Sequence, residues 1–259
     1  MSLLILAPHQ DDEILCAGGL IQKCLALNVI VEIVFATNGD YCGKEIAALR
    51  WQESRAAILS LGVNEQHIHY LGYGDTGMRA SHSFLKKLWE AEETHPFSTP
   101  VSCQTYHPGK LNTVHQLHYG VEAFYTRANF MEDLNRILQQ CNPTTILVPN
   151  SADAHGDHWA LARFFHALPS NAAREKTLTY LIHGGDDSIW PDDHPDTAFS
   201  RPPAISETCW SKRISVPLSK EQIARKREAL SLFETQGGIE AGSFLAKFSR
   251  PEEIFFSDS

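Results

Sequence analysis

The 259-residue sequence has no long hydrophobic run, no basic tract and no cysteine pair at metal-ligand spacing. No apolar stretch approaches the ~20 residues of a membrane-spanning helix, which argues against a transmembrane segment. The start, MSLLILAPHQDDE, carries no basic n-region and reads as a first buried strand rather than a signal peptide. Lys+Arg is 22 against Asp+Glu 31, a formal net charge of −9, so phosphate backbones offer the chain little and nucleic acid is excluded as a partner. Six cysteines, at 16, 24, 42, 103, 141 and 209, form no C-x-x-C pair. A chain of this length needs no cross-links, and the pattern reads as reduced thiols in a cytoplasmic protein. There is no G-x-S-x-G elbow for a serine nucleophile. No G-x-G-x-x-G follows the first strand either; Gly18-Gly19 comes too late for a dinucleotide loop.

What is present is a globular balance, 43% hydrophobic and 20% charged, which rules out a disordered chain. Leu3 to Leu6 is a short apolar run, as expected of a strand buried on both faces. A helical pattern over 13–27, a strand over 29–35, a helix over 45–61 closed by Gly62 and a strand over 68–71 follow. This alternation predicts βαβ units: an α/β, Rossmann-like, doubly wound and mostly parallel sheet in a single domain, with long loop insertions. Further helices are expected over 83–93, 127–141, 158–168 and 219–233, the last with a Ser219/Gln222 capping box. Further strands are expected over 144–148, 177–182 and 213–216. Positions 72–83 read as a glycine-rich loop, 95–120 as a surface excursion and 184–210 as a Pro/Asp-rich connection.

Two clusters carry the chemistry. Pro8-His9-Gln10-Asp11-Asp12-Glu13 follows the first strand directly, and ionisable groups this dense at the end of a buried strand are costly unless paired or metal-bound. Asn150 to His158 holds Asp153, His155, Asp157 and His158 directly after the fourth strand. In a 3-2-1-4-5 strand order the first and fourth strands are neighbours, so the two loops would face each other at the switch point where α/β folds bind ligands. His9, Asp12 and His158 make a two-His, one-carboxylate set with an open position, a catalytic zinc arrangement that also suits Fe(II) or another divalent metal. Zinc lowers the pKa of bound water to about 7, and Asp11, beside Asp12, is the natural base.

The pair of motifs, His9-x-Asp11-Asp12 and His155-x-Asp157-His158, resembles the LmbE-like/PIG-L family of zinc-dependent N-deacetylases. Thr37-Asn38-Gly39, Arg50-x-x-Glu53-x-x-x-Ala57-x-x-x-Leu61-Gly62, Leu71-Gly72-x-Gly74-Asp75 and a C-terminal helix ending in Thr235-Gln236 agree in order. The resemblance implies His9, Asp12 and His158 as zinc ligands and Asp11 as base and later acid. It implies His155 as oxyanion stabiliser, held protonated by Asp157, and Arg50 and Asp75 as substrate contacts. The implied substrate is a small-molecule N-acetylated sugar of the N-acetylglucosamine kind or a glycoconjugate, losing acetate. Selection among such substrates is expected in 95–120 and 184–210, which match no family pattern. The oligomeric state, including a homo-oligomer, stays open.

Plainer readings exist for each element. Asp11 or Asp12 could cap the following helix, as could Asp157. Arg50 and Glu53 could form a surface pair, and Asp75 could be a turn residue. His107, His115 and His118 read as surface or packing residues with one free to face the crevice, and Trp89, Trp159, Trp190 and Trp210 as core or rim aromatics. Two other functions remain open: a zinc amidase acting on another acyl group, such as that of a sugar–thiol conjugate, and a non-catalytic carbohydrate-binding relative.

Overall fold

The computed structural model describes residues 1–77, 82–169, 177–185, 189–240 and 242–257. Positions 78–81 of the glycine-rich loop and 186–188 of the later connection therefore lie outside the described residues. β1 (Ser2–Ala7), β2 (Ile30–Thr37) and β3 (Ile68–Tyr73) alternate with α1 (Asp12–Ala26) and α2 (Lys44–Leu61). α3 (Phe84–Glu90), α4 (Val114–Tyr119) and α5 (Arg127–Cys141) lead to β4 (Thr145–Pro149), α6 (Gly156–Ala167) and β5 (Thr177–Tyr180). α7 (Glu207–Ser211), β6 (Ile214–Pro217), α8 (Lys220–Ser231) and β7 (Glu252–Ser257) complete the order. The sheet runs β3-β2-β1-β4-β5-β7-β6. Pairings among β1 to β5 are parallel, while β7 is antiparallel to both β5 and β6. This is the expected α/β fold with β1 beside β4, extended by an antiparallel edge.

Alternation along the strands supplies two cores. Leu3, Ile5 and Ala7 face Ile14, Ala57, Ile58 and Leu230, which places α1, α2 and α8 on one side. Leu4 and Leu6 face Phe84, Phe130, Leu134 and Phe164 from α3, α5 and α6 on the other. Both faces of β1 are thus dry, which explains its unbroken apolar run. Gly62 ends α2 in the left-handed conformation, and the Ser219/Gln222 capping box starts α8.

Gly18-Gly19 has a packing role. A Cβ on Gly19 would come within 2.3 Å of the Leu218 side chain. The backbone N–H groups of Gly19 and Leu20 donate to Glu253 at 2.7 and 2.8 Å, and Lys226 Nζ reaches the same carboxylate at 2.8 Å. This buried pair ties α8 and β7 to α1, and breaking one partner would leave an uncompensated charge in the core.

The irregular stretches are more ordered than their composition suggests. Within 95–120, Thr105, His107, Thr113 and Val114 are buried. Thr105 and Thr113 both donate to Glu122, at 2.6 and 2.7 Å. The segment is therefore partly a packed layer over β3, not only a surface excursion. In the later connection, the buried Arg250 guanidinium donates to Asp192 Oδ1 at 2.7 Å and to the His194 carbonyl at 2.9 Å, while Trp190 fills the core.

Candidate metal centre

The carboxyl ends of β1, β2 and β3 are stitched together before any site residue is placed. Thr37 donates its N–H and hydroxyl to the Pro8 carbonyl, at 3.1 and 2.8 Å. Asn38 donates to the carbonyls of Tyr73 and Gly72. Gly39 has φ +63°, and a Cβ there would lie 2.4 Å from Gln10 Oε1 and 3.0 Å from Arg50 Nε. Glycine at this turn lets Arg50 approach the loop that carries the acidic cluster.

In that loop, Asp11 holds φ 141°, a conformation that non-glycine residues avoid. Its N–H donates to Glu13 Oε2 at 3.0 Å, and its carbonyl accepts from Ile14 and Leu15 at the start of α1. Glu13 is in turn bound by Ser54 Oγ at 3.2 Å. Burial and the neighbouring Asp11 charge keep the Glu13 carboxyl well above its usual pKa, so a buried acid in α1 clamps the strained turn.

The two loops meet as the strand order requires. Asp12 Oδ2 lies 3.3 Å from His9 Nδ1 and 3.2 Å from His158 Nε2. A tetrahedral ion with bonds of about 2.0–2.1 Å holds its ligand atoms about 3.3–3.4 Å apart, so these spacings already match the edges of a metal site. The imidazoles of His9, His155 and His158 also each offer a nitrogen within 4.8 Å of the others. Both His158 nitrogens are buried without an aligned hydrogen bond, although each lies 3.2 Å from a carboxylate oxygen. Orphaned nitrogens beside close anions suit a cation seated between them. Behind His158, Asp153 approaches Nδ1 at 3.2 Å and is itself fixed by the N–H groups of His155, Ile182 and His183. A carboxylate behind a ligand imidazole fixes its orientation and basicity.

Electrostatics follow from this packing. Burial opposes charge on His9, yet the Asp12 and Asp157 carboxylates push its pKa up to about 10. Burial and the Asp12 charge raise Asp11 to about 6, against the pull of Arg50. Burial and the His9 and His158 charges push His155 down to about 2. His155 Nδ1 accepts from the Asp157 N–H at 3.2 Å, which caps α6. The expected link between Asp157 and His155 thus runs through the Asp157 backbone, and the Asp157 charge still favours a proton on His155. The Asp157 carboxylate turns instead to His9 Nε2 at 3.2 Å, Ser83 Oγ at 2.5 Å and Leu85 N–H at 2.9 Å. The physical reason is that Asp157, in the first turn of α6, packs against the start of α3.

Arg50 and Asp75 do converge on the site. Arg50 NH2 is 3.8 Å from Asp11 Oδ2, and NH1 is 3.9 Å from Asp75 Oδ2. Arg50 does not pair with Glu53, which accepts from the Thr235 N–H and hydroxyl at 2.9 and 2.6 Å. The cluster opens into a cavity of about 990 Å³ whose lining includes Asp11, Arg50, Asp75, Tyr41, His183 and Phe244. Its described lining includes no residue of 95–120 or 184–210. His107 and His115 are occupied elsewhere, against Tyr70 and on Asp133, and Trp89, Trp159, Trp190 and Trp210 are absent from the described lining of the cavity. Asp153, Glu13 and Ser83 are supports that sequence reasoning left without a role; only the density of charge in the two motifs pointed to the first two. His183, stacked on Phe244 at an interplanar angle of 3°, carried no sequence signal.

The chain can now be set beside known proteins. The family described as GlcNAc-PI de-N-acetylase (PIG-L) matches residues 4–168, well over half of the sequence. No curated protein matches. Among solved structures, the A40926 pseudoaglycone deacetylase Dbv21 shares 16% identity at a TM-score of 0.59, covering 98% of this chain and 96% of its own. The N,N'-diacetylchitobiose deacetylase from Pyrococcus horikoshii shares 18% at 0.56, covering 98% and 82%. The zinc-inhibited form of the teicoplanin deacetylase Orf2 shares 14% at 0.57, covering 100% of both. At these identities the likeness is one of fold.

Proposed function

This chain belongs to the PIG-L family, and from that premise we propose that it is a divalent-metal-dependent hydrolase. It removes an N-acetyl group from an amino-sugar-containing metabolite or glycoconjugate and releases acetate. The observation that carries this reading is the meeting of Asp12 with His9 and His158 at ligand spacing, under a cavity large enough for a sugar. His9, Asp12 and His158 would hold the metal, zinc being the expected ion for a hydrolase. When bound, such an ion polarises the acyl carbonyl and acidifies a water.

The remaining work falls to the side chains. Asp11, fixed at the mouth of α1, takes a proton from the attacking water and returns it to the departing amine nitrogen. Arg50, 3.8 Å away, favours its ionised form. His155, accepting at Nδ1, carries its proton on Nε2 and donates it to the developing oxyanion. Asp157 positions His9, and Asp153 positions His158. Arg50 and Asp75 engage the polar groups of the sugar. The test is acetate release from a panel of N-acetylated sugars and glycoconjugates, with and without chelator. Chelator-sensitive release of acetate is expected. Release of a different acid would make the enzyme an amidase of another acyl class, and sugar binding without turnover in metal-loaded protein would overturn the catalytic reading.

A further inference from the structure

A second group of donors lies at the opposite end of the sheet. Glu32 stands near the start of β2, His69 near the start of β3 and Cys141 at the last position of α5. We propose that Glu32, His69 and Cys141 form a second metal site, for a zinc-class divalent cation, at the amino end of the sheet. The proposal does not rest on the hydrolase reading.

One ligand atom from each residue lies within 4.8 Å of the other two. His69 Nε2 is 2.8 Å from Glu32 Oε2 and 3.9 Å from Cys141 Sγ. Zinc-class bonds of about 2.0–2.1 Å to nitrogen and 2.3 Å to sulfur set tetrahedral N–S edges of about 3.5 Å and N–O edges of about 3.3 Å. Movements of about half an ångström would bring both edges from His69 to these lengths. Chemistry makes the same point more sharply. His69 Nε2 is a single atom: if its proton goes to Glu32, it has no lone pair left for the Cys141 thiol. The thiol is surplus in a His–Glu hydrogen bond and useful in a metal site, where each group contributes one lone pair.

The surroundings suit a structural ion. The side chains of His69 and Glu32 are only 11% and 13% exposed, so the cation would be largely shielded. The other Glu32 oxygen accepts from His67 Nδ1 at 2.9 Å, which orients the carboxylate without occupying the atom that binds. Donors from three separate chain segments would join α5 to β2 and to the edge strand β3. A mixed thiolate, imidazole and carboxylate set selects zinc-like ions over hard cations such as magnesium.

The experiment uses metal-stripped full-length protein titrated with Co²⁺. The centre at the carboxyl end offers only imidazoles and carboxylates, so a thiolate-to-cobalt charge-transfer band reports a cysteine-containing site alone. Wild-type protein is expected to show that band, and Cys141→Ser and His69→Gln are expected to lose it while circular dichroism stays native. Absence of the band in wild-type protein, or a band that survives Cys141→Ser, would overturn the proposal. Should Cys141→Ser fail to fold, His69→Gln decides in the same way.

Discussion

The two ends of one parallel sheet hold similar donors under different conditions. At the carboxyl end, His9, Asp11, Asp12, His155 and His158 are buried beneath a cavity. At the amino end, the Glu32 and His69 side chains are 13% and 11% exposed, and Glu32 carries two imidazoles at ordinary hydrogen-bond distances. Low dielectric strengthens each interaction at the carboxyl end, where Asp11 is raised, His9 is raised and His155 is lowered within one cluster. At the amino end burial and the Glu32 charge push the Cys141 thiol up to about 12, and the His69 and His67 imidazoles hold Glu32 below its usual pKa against burial. Side-chain exposure is similar at the two ends, 13% for Asp11 and for Glu32, so the cavity over the carboxyl-end cluster, which gives a substrate access to its donors, is what sets the two apart.

That contrast can be broken experimentally, and the largest effects belong to the carboxyl end. His158→Ala and His9→Ala should each lose the metal and bring acetate release to background; elemental analysis showing a full equivalent of metal in either variant would remove that residue from the ligand set. Asp11→Asn should keep the metal and lower kcat by roughly 10²–10⁴-fold, the usual contribution of a general base. Near-wild-type kcat with metal present would assign the base elsewhere. Asp153→Asn should be milder, weakening metal affinity by about 10–100-fold, because it loosens His158 without deleting a ligand. An unchanged affinity by competition with a chelator would mean that the Ile182 and His183 amides hold the loop without help from that charge.

Legibility in the sequence also divides along this contrast. The carboxyl-end pair could be read because both loops are short, each follows an apolar strand directly, and the sheet order forces them together. Rotations about side-chain bonds could not be read, so Asp157 was assigned to His155 when its carboxylate packs on His9 and Ser83. β7 was missed because Ile254-Phe255-Phe256 becomes a strand only by pairing with β5 and β6, which lie far earlier in the chain. The layer over β3 reads as surface in the sequence because its burial depends on polar residues, Thr105 and Thr113, satisfied by Glu122; hydrophobic periodicity is silent on such packing. The amino-end cluster was invisible for the same reason: Glu32, His69 and Cys141 belong to three elements whose adjacency is a product of the fold.

Midway along β3, between the two ends, His107 packs its ring on Tyr70 at 4.3 Å, and its Nδ1 accepts the Gly109 N–H at 2.9 Å. Burial lowers its pKa to about 4, so it stays neutral where an exposed histidine would ionise. The sign follows from proton counting. Between pH 6.5 and about 4 the unfolded chain binds a proton that folded His107 refuses, so this residue makes stability fall as pH falls through that window. Above it both states are neutral, and below it both are charged, so no further loss comes from this group. His107→Asn keeps a hydrogen-bond acceptor but removes the titration. Its urea midpoint should therefore decline less steeply than that of wild-type protein from pH 7 to 4.5, a difference of about 2–2.5 kcal/mol across the range. Taking the difference between variant and wild type cancels the titration of both donor clusters, which the substitution leaves in place. Parallel pH profiles would mean that the ring is already protonated near pH 6 and that the polar layer over β3 admits water, so that the middle of β3 is no drier than its ends.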